Sequence, residues 1–192
     1  MRSPTSESGV RGRTRRAILD AAATTLARDR AATLADIAAA ADVGRSTLQR
    51  YFPDREDLLD AVVADSLRAV GQAAAEAALD DGPPDEAMRR LVTAMVAVGD
   101  RVLFLYGDPR VLERAGETAG GGSPEVVRLI ERGQAAGVFD AGADAAWIEQ
   151  VLWALVYAGC AAAGRGTLPR HAAATSVVRT FENGVRRPAE ES

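Results

Sequence analysis

The chain has 192 residues, 47% hydrophobic and 26% charged, with a net charge of -4 and one cysteine. That length suits one domain of ordinary size or two small ones, large enough to bury a core without metal or disulfide staples. With no apolar run expected to reach the roughly 18 residues of a membrane span, a lone Cys160, and a polar, Arg-rich beginning, the composition speaks against a membrane protein and for a cytoplasmic one.

All 23 basic residues are arginine, and alanine is about a fifth of the chain. Ile, Tyr and Phe are scarce while Ala, Leu, Arg and Glu are plentiful, so an all-α fold is expected. The charge is unevenly placed. Residues 1–53 carry nine Arg against five acids, and residues 54–192 carry fourteen Arg against twenty-two. A basic N-terminal module on an acidic body points to nucleic acid at one end.

Residues 1–13 read as a mobile basic arm. Thr14 is placed to cap a first helix whose stripe is Ile18, Leu19, Ala22, Ala23 and Leu26. Thr33, three residues before Asp36, has the spacing of a capping box for a short second helix that buries Leu34, Ile37, Ala38 and Ala41. A turn over 41–44 leads to a third helix, Arg45 to Phe52, stopped by Pro53. Asp54 caps a fourth that runs toward residue 79.

After the break at 80–84, a continuous helix is expected over 85–106, with Met88, Leu91, Met95, Val98, Val102 and Tyr106 on one side. A short helix over 110–118, a flexible Gly120 to Ser123, a helix over 124–136 capped by Gly137, an almost wholly apolar helix over 144–163, and a last helix from Pro169 to about Arg186 complete nine helices. Residues 188–192 read as a tail.

Two short helices in succession, the second apolar within and polar without, describe a helix-turn-helix. On the 100° wheel Leu48 and Phe52 fall inside, and Ser46, Gln49 and Arg50 outside. Arg meets guanine bidentately, Gln meets adenine, and Ser or Thr reaches bases or phosphates. A solvated helical hairpin would show the same pattern.

The stretch from Arg16 to Val62 resembles the N-terminal domain of the TetR family of transcriptional regulators. The resemblance rests on Arg16, Ile18, Leu19, Ala21, Ala22 and Leu26; on Thr33, Asp36, Ile37, Ala38, Ala41 and Val43; on Ser46, Thr47, Leu48, Arg50, Tyr51 and Phe52; and on Glu56, Leu58, Leu59, Ala61 and Val62. It implies that Arg45, Ser46 and Thr47 face bases, that Tyr51 and Arg55 hold phosphates, and that Thr33 meets a phosphate at the start of the second helix. Gln49 stands where the family usually has a tyrosine, and Gly44 where a serine cap is common. Three regions follow: a helix-turn-helix over 14–53, a connecting helix over 54–79, and a helical effector-binding and dimerisation body over 80–187.

The resemblance also implies a homodimer bound to palindromic double-stranded operator DNA and released by a small-molecule effector, most simply as a repressor. Met95, Gly99, Val102, Tyr106 and Trp147 are the expected effector lining. Few ionisable residues lie between Arg90 and Tyr106, so an apolar or aromatic effector is expected, tilting the fourth helix as it binds. Val151, Ala154, Ala158, Ala162, Val177 and Phe181 are the expected dimer surface. No catalytic residue, metal or cofactor is expected, because one His and one Cys cannot assemble the usual clusters. A helical ligand-binding protein with weakened DNA binding is the alternative, favoured by Gln49 alone, and a helical enzyme is the third reading.

Overall fold

The structure is a computed structural model that describes residues 4–116 and 123–185. Gly120–Gly122, the 188–192 tail and the first residues of the expected arm lie outside the described residues. The described chain folds into ten α-helices: α1 Pro4–Arg28, α2 Leu34–Ala40, α3 Arg45–Tyr51, α4 Arg55–Glu76, α5 Pro84–Ala97, α6 Gly99–Tyr106, α7 Pro109–Ala115, α8 Pro124–Ala135, α9 Ala145–Gly164 and α10 Arg170–Val185.

Two departures from the sequence reading matter. First, α1 begins well before Thr14, so the expected arm is helical from Pro4 onward. Thr14 is no cap; its hydroxyl donates to the Val10 carbonyl at 3.1 Å, one turn back, as an interior helical threonine does. Second, the helix expected over 85–106 is two helices. Val98 leaves helical geometry (φ -96°, ψ 25°) and serves as C-cap of α5 and N-cap of α6. Gly99 follows, a poor helix former that here permits close approach: a Cβ on it would lie 3.2 Å from Cys160 Sγ of α9.

Caps set the remaining ends. Thr33 and Asp36 form a full capping box, with the Thr33 amide donating to Asp36 at 2.8 Å and the Asp36 amide to Thr33 Oγ1 at 3.2 Å. These bonds hold the Asp36 carboxyl below its ordinary pKa, the Thr33 side chain contributing most. Asp54 caps α4 by accepting from the Asp57 amide at 2.9 Å. Asp42 takes the left-handed conformation (φ 53°) that turns α2 into α3, a role Asp fills more readily than most residues. Beyond α8, Gly137 (φ 70°) lets Val138 donate to the Gly133 carbonyl at 2.9 Å, which closes the helix and folds the Phe139 ring over Gly133.

Two cores result. Ile18, Leu19, Ala22, Leu26, Ile37, Leu48, Phe52, Leu58 and Val62 form the N-terminal one, joined by Phe104 and Leu105 of α6. Helices α5, α8, α9 and α10, with the start of α6, build the other. Helix α6 therefore belongs to both, with Val102 and Leu103 in the body core and Phe104 and Leu105 in the N-terminal core.

Helix α9 corrects a further expectation: over 20 residues its hydropathy reaches 1.3, long and apolar enough to cross a membrane by composition alone. It instead packs against α5, α6, α8 and α10 and carries a buried Glu149. Only 33% of its apolar window is buried within the chain.

Candidate nucleic-acid interface and effector cavity

On α3, Leu48 and Phe52 are buried and fix the helix in its core, which turns Arg45, Ser46, Gln49 and Arg50 to solvent. Thr47 and Tyr51 are half-buried at its edges. Arg50 stacks on the Tyr51 ring at 5.8 Å, and Arg15 of α1 lies 5.4 Å over the Phe52 ring. Arg11, Arg13 and Arg16 are exposed on the same first helix and make no ion pair among the described residues.

Two expected DNA contacts are otherwise engaged. Arg55 donates to the carbonyls of Ala32 at 2.5 Å and Arg30 at 3.0 Å, so its guanidinium holds the α1–α2 turn against the start of α4. Arg55 is half-buried there, with these two bonds made inside the chain. Thr33 is exposed, but its hydroxyl already donates to Asp36 at 2.7 Å and accepts within the capping box.

In the body a cavity of about 1130 Å³ opens between α4 and the helices α5, α6, α7, α8 and α9. Of the expected lining, Met95, Val102 and Tyr106 face it. Gly99 does not, being pressed against Cys160. Trp147 does not either; it sits 61% exposed in the first turn of α9, outside the cavity lining. Burial raises the Tyr106 phenol above its ordinary pKa.

The acidic side of the cavity was missed. Asp80, Asp81, Glu125 and Glu149 all line it, and among the described residues no arginine does. Glu149 is only 4% exposed; its Oε1 accepts from the Ser123 amide at 2.5 Å and from Trp153 Nε1 at 3.0 Å. Its Oε2 has no partner among the described residues. The charge absent along 90–106 comes instead from Glu149 of α9, from Asp80 and Asp81 between α4 and α5, and from Glu125 in the first turn of α8. A single acid inside a 20-residue apolar helix was the available signal.

The expected dimer residues divide. Ala154 and Ala158 are exposed and Val151 and Ala162 half-buried on α9. Val177 and Phe181 are core residues instead: Val177 fills the space that a side chain on Gly159 would need, and Phe181 meets Phe139 edge-on with centroids 5.8 Å apart. The stripe of α10 at this spacing points inward against α9 and α5, so it is spent within the chain.

Cys160 is buried, with its thiol pushed up to about 11 chiefly by desolvation, and is inert as a nucleophile at neutral pH. His171 is exposed at the start of α10, and no cluster of metal-ligating side chains occurs among the described residues.

A small three-helix unit with a polar-faced third helix, set on a helical body that encloses a cavity, is an arrangement shared with known regulators. The family profile described as bacterial regulatory proteins, tetR family, matches residues 18–62. The HTH-type transcriptional repressor LfrR of Mycolicibacterium smegmatis is 42% identical over 188 residues, which cover 96% of this chain and 97% of LfrR. This chain belongs to the TetR family. The crystal structure of LfrR superposes with a TM-score of 0.74 at 39% identity, covering 92% of this chain and 98% of LfrR, and LfrR in complex with proflavine with a TM-score of 0.68 at 37%, covering 92% and 99%. The ketosteroid regulator KstR2 of Mycobacterium tuberculosis, 18% identical with a TM-score of 0.64 over 91% of this chain and 95% of its own, shares the fold. As a TetR-family protein the chain is a helix-turn-helix transcriptional regulator and not an enzyme.

Proposed function

We propose that this TetR-family regulator is a dimeric repressor whose two α3 helices read a palindromic operator and whose cavity takes an aromatic effector that releases the DNA. The observation that carries the reading is the open cavity itself: about 1130 Å³ bounded on one side by α4, the helix that continues directly from the DNA-binding unit. That volume is in the range of a drug-sized ligand. Arg45, Ser46, Thr47, Gln49, Arg50 and Tyr51 are the proposed operator contacts.

Two features refine the effector. Trp153, Tyr157 and Tyr106 offer aromatic faces, and Glu149 with Asp80, Asp81 and Glu125 offers carboxylates, which together suit a flat organic cation. LfrR crystallised with proflavine supports an aromatic effector. The dimer reading rests on α9, whose Ala154 and Ala158 leave an apolar, close-packing strip exposed on a helix buried over only a third of its apolar window.

A gel shift with the duplex flanking the protein's own gene, titrated with proflavine, tests the reading. Retarded DNA that the dye releases is expected. DNA binding that no aromatic compound alters would overturn the effector assignment, and no retardation of flanking DNA would remove the operator assignment.

A further inference from the structure

Besides α4 and the Phe104 and Leu105 contact of α6, the body meets the helix-turn-helix at the end of α6. Gly107 closes α6 immediately after the cavity residue Tyr106, and its φ of -86° is open to any residue, so glycine is there for space. A Cβ on Gly107 would collide with Arg30 Nη2, lie 2.6 Å from the Leu103 carbonyl and lie 3.0 Å from the Tyr157 hydroxyl. Tyr157 also lines the cavity. Arg30 belongs to the α1–α2 turn, and its other nitrogen pairs with Asp108 at 3.3 Å. Its carbonyl accepts one of the two Arg55 bonds that anchor that turn to the start of α4, directly behind the recognition helix.

We propose that Arg30 is the positioning residue through which the effector acts on the helix-turn-helix directly, by way of the Tyr157–Gly107–Asp108 contact, in parallel with any tilt of α4. The inference rests on the effector reading above. An effector against Tyr106 and Tyr157 displaces the last turn of α6 or the Tyr157 hydroxyl, and because the Leu103 carbonyl beneath Gly107 is backbone and does not yield, the shift passes outward to the Arg30–Asp108 pair. The Gly107–Asp108 backbone then moves against the Arg30 guanidinium and carries the α1–α2 turn with it. Arg30 neither lines the cavity nor stands on α3, so its effect falls on the coupling between sites and on neither affinity alone.

The test uses Arg30→Met, which keeps the aliphatic stem and deletes the guanidinium. The full-length protein is measured for proflavine affinity by fluorescence polarisation, and for affinity toward a duplex selected from random sequence by the parent, with and without the dye. The expected result is parental dye affinity, parental DNA affinity without dye, and a ratio of DNA affinities without and with dye at least about 5-fold smaller than in the parent, within the usual span of site-to-site coupling. Gly107→Ala should act in the opposite sense, lowering DNA affinity in the absence of dye; if it fails to fold, Arg30→Met decides alone. An Arg30→Met ratio equal to that of the parent overturns the inference while leaving the effector site standing. A parent that binds no dye overturns the effector reading and the inference with it.

Discussion

The helix-turn-helix half and the body use burial in opposite ways. Around α3 the core is filled, with Leu48 and Phe52 seated among Ile18, Leu26 and Ile37, and what acts is the polar surface outside it. In the body what acts is unfilled space, and the polar group that matters, Glu149, is almost wholly buried beside it. A surface of exposed arginines over a rigid core gives binding that is strong, electrostatic and tolerant of single losses. A cavity walled by six helices gives binding that depends on each wall.

The contrast is broken most severely by salt. Arg45 and Arg50 of α3 and Arg11, Arg13 and Arg16 of α1 are all exposed. If a dimer neutralises about 6 to 10 phosphates, DNA affinity should fall about a thousandfold or more between 50 and 200 mM salt. Effector binding in the cavity, which releases no condensed counterions, should change far less over that range. Fluorescence anisotropy across a salt series checks both, and a flat DNA response would contradict the electrostatic half of the comparison.

Next in size is the exposed strip of α9. Ala158 lies on the surface of the single chain, so Ala158→Glu leaves the fold intact but puts a charge at the centre of the proposed two-fold contact, where an unpaired buried charge costs about 3–5 kcal/mol. Sedimentation should report a folded monomer with parental helicity and lost operator binding. An unchanged dimer would move the interface off this face.

How much of each half was legible follows from the same contrast. Residues 33–52 were readable because each signal is local: a cap at Thr33 and a stripe ending in Phe52, each within one or two turns. The body was readable only as helices. Its cavity draws Leu67 and Val70 from α4, Met95 from α5, Val102 from α6 and Tyr157 from α9, and no periodicity shows which face of an all-round apolar helix looks into it. Gly99 was expected as lining for its small size, and the small size in fact serves the α6–α9 contact at Cys160. Arg55 shows the limit inside the legible half: resemblance assigned its position but not its partners, which lie twenty and more residues earlier.

Arg45 and Arg55 sharpen that point as a pair. Arg45→Ala should relax base preference at one position of each half-site, at about 1–3 kcal/mol, with little change in melting temperature. Arg55→Ala should instead lower the melting temperature, since it removes two charge-assisted bonds worth about 1.5–3 kcal/mol each from the α1–α2 turn. Binding to specific and random duplexes alongside thermal unfolding separates the two. A stable Arg55→Ala with uniformly weakened binding would restore the phosphate role.

The smallest expected effect lies at the far end of α4, in the wall of the cavity. Ala78, just past the end of α4, holds φ at 48°, a left-handed conformation that costs an alanine about 1–2 kcal/mol. It is kept there by arginines: Arg90 donates to the carbonyls of Ala77 and Ala78, each at 2.8 Å, and Arg132 to that of Leu79 at 2.7 Å. Ala78→Gly relieves the strain but loosens the unfolded chain by about 0.4–1 kcal/mol, so the net gain should be about 1 kcal/mol or less. In a chain of this size that raises the melting temperature by roughly 2–4 °C at most. Ala78 also lines the cavity, and losing its methyl enlarges the wall by one carbon without moving Glu149 or Trp153. Effector affinity should therefore change less than stability does. A variant that melts lower than the parent would mean that the Arg90 and Arg132 bonds, and not the alanine's own geometry, set the energy of this turn.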